Sequence, residues 1–429
     1  AGGFVGKLGH EHGGSIGFIK DSFGVGYIAQ ENGQSTVGGF VGKIYKEDYM
    51  MNTYNLMTLN VDLDSEDTTF GIAGSQTNEL SVRNSYYVSK VTGRSEATAF
   101  GNIDNYAMAI DFYDLSINIP HNFSASIWNL ESSFPMLVDN DSFIPRGFNE
   151  NPILVDSIPS FKSIEKRNWA HYYQSNDLDF ELFPITMLFS SSQPFMGHYN
   201  GQNHSLSNIT ISNVEDDPIQ QMFNQSFAIF DTIEYGTIEN LVLDNITLNN
   251  KAYLGNDIYS AILSVRLINA TVSRLQISGS VTGETISGGI RLGGIAATLN
   301  QNNHLDEIAI NVDFNAVQTT TNANIANQII IGSVAAMVMS TGNEISMMVY
   351  HGDVNYTSVK EEQPYANLFI GHTGSFIVEL NNVYFIETNQ DESMDSPYYH
   401  QVERAYPENI EELTNNRFVY TDKIELILD

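Results

Sequence analysis

Apolar positions in the second half of the chain alternate with polar ones in a series of short segments: LSNITISN (206–213), IENLVLDNITL (238–248), VSRLQISGSV (272–281), LDEIAINVDF (305–314), NEISMMVYHGDV (343–354) and LNNVYFIE (380–387). Leu241 and Leu243 fall on one side with Val242 on the other, and Leu275 and Ile277 repeat this around Gln276. A period of two predicts strands. Matched apolar positions are Ile209, Leu241, Leu275, Ile308, Ile345 and Val383, separated by 32, 34, 33, 37 and 38 residues. Helical repeats such as tetratricopeptide and ankyrin units have similar lengths. Residue choice decides for strands, because these segments are rich in Ile, Val, Thr, Asn and Gly and lack the Ala, Leu, Glu and Lys runs of helical repeats.

The first half repeats more sharply. Gly2-Gly3-Phe4-Val5-Gly6-Lys7-Leu8 returns as Gly38-Gly39-Phe40-Val41-Gly42-Lys43-Ile44 after 36 residues, and IKDSFGVGYI (19–28) has a counterpart in VRNSYYVSKV (82–91), with Asp21-Ser22-Phe23 matching Asn84-Ser85-Tyr86. Short strands cannot bury an inner face alone, but coils stacked in parallel can, with inward Ile, Val, Leu and Phe forming a column and Asn, Ser, Thr and Gly turning the corners. A β-propeller would need longer antiparallel units with aromatic hairpin markers, which are missing. The expected fold is all-β: a right-handed β-helix (parallel β-solenoid) in two consecutive units. Gly288-Gly289 and Gly293-Gly294 read as corners or tight backbone approaches.

The units are expected at 1–150 and 151–429. In the first, repeats run out near 115 and an apolar closing segment (114–138) with Trp128, Phe134, Pro135 and Leu137 is expected to cover the last coil, whose edge would otherwise offer free hydrogen-bonding groups. Residues 139–160 read as a connection. In FKSIEKRNWAHYY, Phe161, Ile164, Trp169 and Tyr173 suit a short amphipathic helix capping the start of the second unit. Beyond 388 the repeat register fades.

Composition narrows the function. The 429 residues carry 51 Asp plus Glu against 19 Lys plus Arg, a formal charge of -32, and no cysteine. Disulfides and cysteine-ligated metal sites are excluded. Scattered cations and a strongly acidic surface make nucleic acid a poor partner. The longest apolar stretches, such as IIIGSVAAMVM at 329–339, are too short to span a bilayer. The opening AGGFVGKLGH, with neither initiator Met nor signal-peptide pattern, reads as a processed product or excised piece. Acidity, repeats and abundant Asn, Ser and Thr point to an extracellular or surface-displayed bacterial protein.

GGFVGKL, GGFVGKI and the DSF and NSYYV segments resemble the GLUG motif, named for a Gly-Leu-any-Gly core, here with Phe40-Val41-Gly42 after the Gly pair. The stretch 176–211 is similar to the β-helical opening found upstream of such motifs, its turn being Gly197-His198-Tyr199-Asn200-Gly201, and IWNLESSFPML is similar to their usual end. The likeness covers most of 1–138 and 157–387. It departs where Gly332-Ser333-Val334 replaces a Gly pair. The resemblance implies a β-helical module of a large secreted or surface-anchored bacterial protein, such as an adhesin or the non-catalytic part of an immunoglobulin-cleaving metalloprotease, with no transferable catalytic residues.

Candidate chemistry is sparse. HExxH, GxSxG and the phosphate-binding P-loop are absent; His10-Glu11-His12 and Tyr399-His400 lack the i, i+4 pair of a zincin, and His10 and His12 read as solvated. Asp62, Asp64 and Glu66, with Asp67 beside them, and Asp177 with Asp179 place carboxylates about 7 Å apart on a strand face, a spacing compatible with glycosidase chemistry. In so acidic a chain such pairs read first as solvated surface. The 62–67 cluster offers oxygen ligands to calcium without an EF-hand or β-roll string, so no metal site is assigned. Asn-x-Ser/Thr at Asn122, Asn203, Asn208, Asn224, Asn245, Asn269 and Asn355 reads as turn chemistry before glycan acceptors. Tyr172, Tyr173, Tyr398 and Tyr399 are candidate exposed rings for sugar or protein contacts.

The leading expectation is a non-catalytic, rod-like structural or adhesion module without a cofactor. Its partners would be a host or matrix glycan or protein, or neighbouring modules of the same polypeptide. A β-helical polysaccharide lyase or glycoside hydrolase and the accessory region of a secreted protease are the alternatives. Acids converging on an arginine would favour the enzyme.

Overall fold

The computed structural model describes residues 2–9, 16–30, 36–45, 48–61, 69–75, 81–94, 107–116, 122–132, 134–138, 144–213, 225–252, 256–319, 329–357, 365–367, 369–373, 376, 378–386 and 402–405. The chain divides into two compact units, one of residues 1–153, 163–172 and 192–197, the other of residues 154–162, 173–191 and 198–429. Strands dominate both, and nearly all pair in parallel with the equivalent strand one coil later, as in a parallel β-solenoid.

In the second unit each full coil contributes one long strand and two short ones. The long strands Thr237–Ala252, Thr271–Thr285, His304–Gln318, Asn343–His351 and Val378–Ile386 stack in chain order. Strands such as Ile258–Ala261, Ile290–Gly293 and Ile329–Gly332 form a second face, and Ser264–Ile268, Ala296–Leu299 and Ala335–Val338 a third. Parallel pairing puts like on like, so the core is a set of columns. One holds Leu241, Leu275, Ile308, Met348 and Val383, another Ile238, Val272, Leu305, Ile345 and Leu380. All ten are buried.

Two of the six positions matched in the sequence therefore shift. Ile345 pairs with Leu305, and Met348 takes its place in the column of Leu241; Ile209 lies level with Ile246, its carbonyl accepting from Thr247 N–H, and Gly201 approaches Leu241 instead. The cause is a left-handed residue inside four of the five long strands: Asn240, Arg274, Glu307 and Met347 have φ of 53°, 51°, 54° and 46°. Each bends the strand and separates successive inward residues by three positions instead of two, so an alternation count slips at every bend.

The same device organises the first unit. Phe18–Gln30, Tyr49–Val61, Val82–Val88 and Ala107–Ile110 form a four-stranded parallel sheet, and Val5–Leu8 pairs with Val41–Ile44, Val5 opposite Val41, as the 36-residue repeat requires. Asp21-Ser22-Phe23 and Asn84-Ser85-Tyr86 are equivalent, with Asn52-Thr53-Tyr54 as the intervening coil. Asp21, Asn52 and Asn84 are all left-handed (φ 48°, 52° and 45°), and their side chains form a ladder: Asn52 Nδ2 donates to Asp21 Oδ1 at 3.0 Å and Asn84 Nδ2 to Asn52 Oδ1 at 3.4 Å. Asparagine tolerates this backbone region better than most residues and joins the coils with its amide.

The Gly-Gly-Phe-Val corners share one geometry. Phe40 and Val41 N–H groups both donate to Ile72 O at 2.9 Å, so a single carbonyl of the following coil caps two donors. A Cβ on Gly38 would lie 2.0 Å from Val41 O and 2.4 Å from Gly74 N, which excludes any other residue. In the second unit Ile295 and Ala296 donate in the same way to Val334 O (3.1 and 2.9 Å), and Val334 and Ala335 to Phe369 O (2.9 and 3.2 Å). Gly332-Ser333-Val334 thus turns the same corner as Gly293-Gly294-Ile295.

Three further expectations change. The segment containing Trp128 and Phe134 forms a small hairpin, Trp128–Asn129 against Met136–Leu137, that lies along the outer aromatic row of the sheet and does not simply cover the last coil. Trp128 packs on Phe23, Tyr54 and Phe123, and Tyr54 Oη donates to Pro135 O at 2.7 Å. Stacked aromatics on the outer face demand such a cover along their length. Residues 161–173 are not one helix: Ile158–Lys162 is α-helical, Ser163–Arg167 a 3-10 turn and His171–Gln174 a strand. Asn168, just past the 3-10 turn, anchors the chain through its amide, which donates to Lys90 O and Pro194 O. Phe161, Ile164 and Trp169 are buried, and Trp169 meets Phe134 and Phe148 edge-on in the first unit. Past 388, Val402–Ala405 still pairs in parallel with Val383–Ile386.

Two outcomes follow for stability. Leu241→Asp and Leu275→Asp should each unfold or fray the second unit, since an unpaired carboxylate in an apolar column costs several kcal/mol; unchanged thermal unfolding would contradict the inward register. Asn52→Ala should destabilise the first unit by about 1–3 kcal/mol through a left-handed alanine and lost ladder bonds, and Asn52→Gly by less because only the ladder is lost. Denaturant titration of the two variants separates the backbone effect from the amide effect.

Candidate functional site

His10, Glu11, His12, Asp62, Asp64, Glu66, Asp67, Asn224, Tyr398, Tyr399 and His400 lie outside the described residues. Asp177 and Asp179 are described, flank the buried Leu178 and look outward. Each ties the chain to the next coil. Asp177 Oδ1 accepts from Ser205 N–H at 2.7 Å and lies 3.3 Å from His204 Nδ1. Asp179 Oδ1 accepts from Asn208 Nδ2 at 2.9 Å and from Glu181 N–H at 3.0 Å. The Asn208 amide, then the Glu181 N–H, hold the Asp179 carboxyl below its ordinary value. One oxygen of each carboxylate, Oδ1, is engaged in these local bonds.

Tyr172 is buried, contrary to its reading as an exposed ring, because its hydroxyl reaches Arg167 O (2.8 Å) and Ile164 O (3.1 Å) beneath the helical turn; burial pushes that hydroxyl well up. Tyr173 is half-buried. Of the Asn-x-Ser/Thr positions, Asn208, Asn245 and Asn269 sit at left-handed bends with their amides in cross-coil ladders: Asn245 Nδ2 donates to Asn208 Oδ1 at 2.7 Å, and Asn302 Nδ2 to Asn269 Oδ1 at 3.1 Å. Their side chains do the work of turns. Asn122 accepts from Tyr86 Oη at 2.7 Å.

One dense polar constellation among the described residues was not singled out in the sequence. Glu239 Oε1 lies 2.9 Å from His198 Nε2 and accepts from Asn200 Nδ2 at 2.6 Å, while Glu239 Oε2 accepts from Arg274. Arg274 also donates through Nε to Asn240 Oδ1, and Nη1 lies 3.8 Å from Glu307 Oε2. On the other faces Arg266 grips Asp231 at 2.8 and 3.1 Å and donates to Thr232 Oγ1 at 3.1 Å; Arg291 pairs with Asp257 at 3.0 Å and lies over the Tyr259 ring at 4.7 Å. Arg266, Arg274 and Arg291 each sit one coil beyond Asp231, Glu239 and Asp257, and Glu307 sits one coil beyond Arg274. Opposite charges separated by one repeat length are the sequence signal that would have revealed them.

Acids do converge on an arginine here: its guanidinium donates to Glu239 and Asn240 and lies 3.8 Å from Glu307. What such a network does chemically is neutralise half-buried carboxylates and lock adjacent coils. Among the described residues, no group of three or more His, Asp or Glu is placed to hold a metal ion, and no helix is long and apolar enough to cross a membrane.

The pairing and corners define a module built largely of parallel β-sheet in stacked coils. No protein-family model and no curated protein matches the chain. A solved structure of a Bacteroides ovatus protein, provisionally named an immunoglobulin A1 protease, is similar over 62% of this chain and 88% of its own, with 16% identical residues and a TM-score of 0.40. A likeness at that level carries no inference here, and the fold stands on the strand pairing itself.

Because the folded Asp179 carboxyl is held below its unfolded value, its stabilising contribution is present above the ordinary carboxylate range, near about pH 4, and is lost as pH falls through the folded value. Asn208→Gly, which keeps the left-handed backbone but removes the amide, should move the Asp179 titration upward. NMR titration of the side-chain carboxyl reads this directly, and an unmoved midpoint would show that the amide is not the main cause.

Proposed function

We propose that this chain is a non-catalytic structural or adhesion module of a bacterial extracellular protein, of the GLUG-like kind. The observation that carries the reading is the corner: one carbonyl capping two N–H groups of the preceding coil recurs in both units, at Phe40-Val41, Ile295-Ala296 and Val334-Ala335. Repetition of one structural unit, with Asp177, Asp179, Asp231 and Glu239 bonded between coils, suits a scaffold that presents surface. Acidic, non-basic faces fit glycan or protein partners and disfavour nucleic acid.

The polysaccharide lyase or glycosidase reading has one observation in its favour, the meeting of Glu239 and Glu307 at Arg274. Against it stands the engagement of Glu239, whose two oxygens are taken up by His198, Asn200 and Arg274. The chain should therefore turn over no acidic or neutral polysaccharide, with or without calcium. Assaying the wild type beside Asp62→Asn/Asp64→Asn, Asp177→Asn/Asp179→Asn and Glu239→Gln decides between the two: turnover lost in any of these variants would establish the enzyme.

A further inference from the structure

The second and third faces of the second unit turn their outer side chains toward each other. On the second face Ile290 and Leu292 point inward, where a Cβ on Gly283 of the long strand would lie 2.9 and 3.1 Å from them. Arg291 between them therefore points outward, in a row with Tyr259 and Ile330. On the third face Thr232, Arg266, Thr298 and Met337 form one row. The two rows touch across the corner: Arg291 Nε donates to Met337 Sδ at 3.2 Å, and Arg291 is only 8% exposed although it lies on the outside. Outer rows that meet in this way enclose a re-entrant angle, so a groove runs along the stack. At the corner Ala228, Ala261, Val265 and Ala297 form a small apolar cluster, with Met187 and Tyr259 packed on it.

Each wall carries an arginine-carboxylate pair. On the second face Arg291 meets Asp257 at 3.0 Å, with its guanidinium 4.7 Å from the centre of the half-buried Tyr259 ring. On the third face Arg266 spends Nε on Thr232 and Nη2 on Asp231; its side chain is 38% exposed, and Nη1 makes no bond among the described residues. The two pairs cancel, in a chain whose formal charge is -32. A polyanion would require unpaired cations here, and an apolar peptide would cover both ion pairs without bonding to them. Hydroxyls fit, because guanidinium donors lie beside carboxylate acceptors, and an aromatic ring offers its face to the C–H face of a sugar. The polar stretch runs from Thr232 through Arg266 to Thr298, two coil spacings or about 10 Å, before Ile330 and Met337 make the walls apolar.

We infer that this groove is a binding site for a short stretch of uncharged glycan, with Tyr259 as the stacking ring and Arg266 as the donor to sugar hydroxyls. The inference rests on the adhesion reading and gives it a ligand class and a place.

The test titrates the full chain calorimetrically with cellotriose, maltotriose, mannotriose and chitotriose, and with trigalacturonate and a lysine-rich peptide as charged probes. At least one uncharged trisaccharide should bind. Tyr259→Leu should weaken that binding by at least about tenfold, as should Asp231→Asn/Arg266→Gln, which removes the pair without leaving a buried carboxylate unpaired. Tyr259→Phe, which keeps the ring, should bind like the wild type. Arg266→Lys keeps a cation beside Asp231 and so preserves the fold where the double variant does not; without the planar fork it should still bind more weakly. Thermal unfolding checks that each variant is intact. Binding that is unchanged in both Tyr259→Leu and Arg266→Lys would overturn the groove and leave the adhesion reading standing. Turnover of a trisaccharide would sink the adhesion reading, while binding sensitive to these variants would still support the groove. Absence of binding to all four uncharged probes, or preference for either charged one, would overturn the inference.

Discussion

Everything in this protein depends on parallel stacking of like on like. A coil that pairs in register with the next must adopt the same backbone conformation at each equivalent position, so any bend has to be repeated throughout the stack. The bends are left-handed residues: Asp21, Asn52 and Asn84 in one row, Asn240, Arg274, Glu307 and Met347 in another. Where asparagine occupies a row, its amide adds a ladder that offsets the backbone cost. Where Arg274 and Glu307 occupy it, an ion pair between coils plays the corresponding part.

The acidic balance gains meaning from this geometry. With 51 acids and 19 Lys plus Arg, the protein cannot pair every carboxylate, and Arg266, Arg274 and Arg291 are used where burial makes pairing most valuable. Asp231 and Glu239 are largely buried and each meets a guanidinium from the following coil, whereas Asp177 and Asp179 stay in water and bond to backbone and amide donors. Charges near the core thus report register, and those outside it contribute solubility and turn chemistry.

Inward-facing Leu241, Leu243, Leu275 and Ile277, the 36-residue Gly-Gly-Phe-Val repeat and the choice of strands over helices were legible in the sequence, because local residue preference and a period of two express them directly. The resemblance of the corners could be read only for the intact Gly-Gly pairs. That Gly332-Ser333-Val334 turns the same corner emerged from its hydrogen bonds, since the backbone geometry tolerates serine where side-chain matching does not.

Among candidate sites, the turn role of Asn208, Asn245 and Asn269 was foreseen, while the buried state of Tyr172 and the cluster around Glu239 were not. The sequence alone determined that the chain is built of stacked strands with asparagine and glycine corners, because those are local properties repeated many times. Tertiary structure decided which residues share a column: the pairing of Ile345 with Leu305, of Met348 with Ile308, and of Arg274 with Glu239. The reason is that a left-handed residue inside a strand changes the count between inward positions, and in the row of Asn240, Arg274, Glu307 and Met347 no single residue type marks it, so register across a coil of more than thirty residues is set by the mutual packing of whole coils.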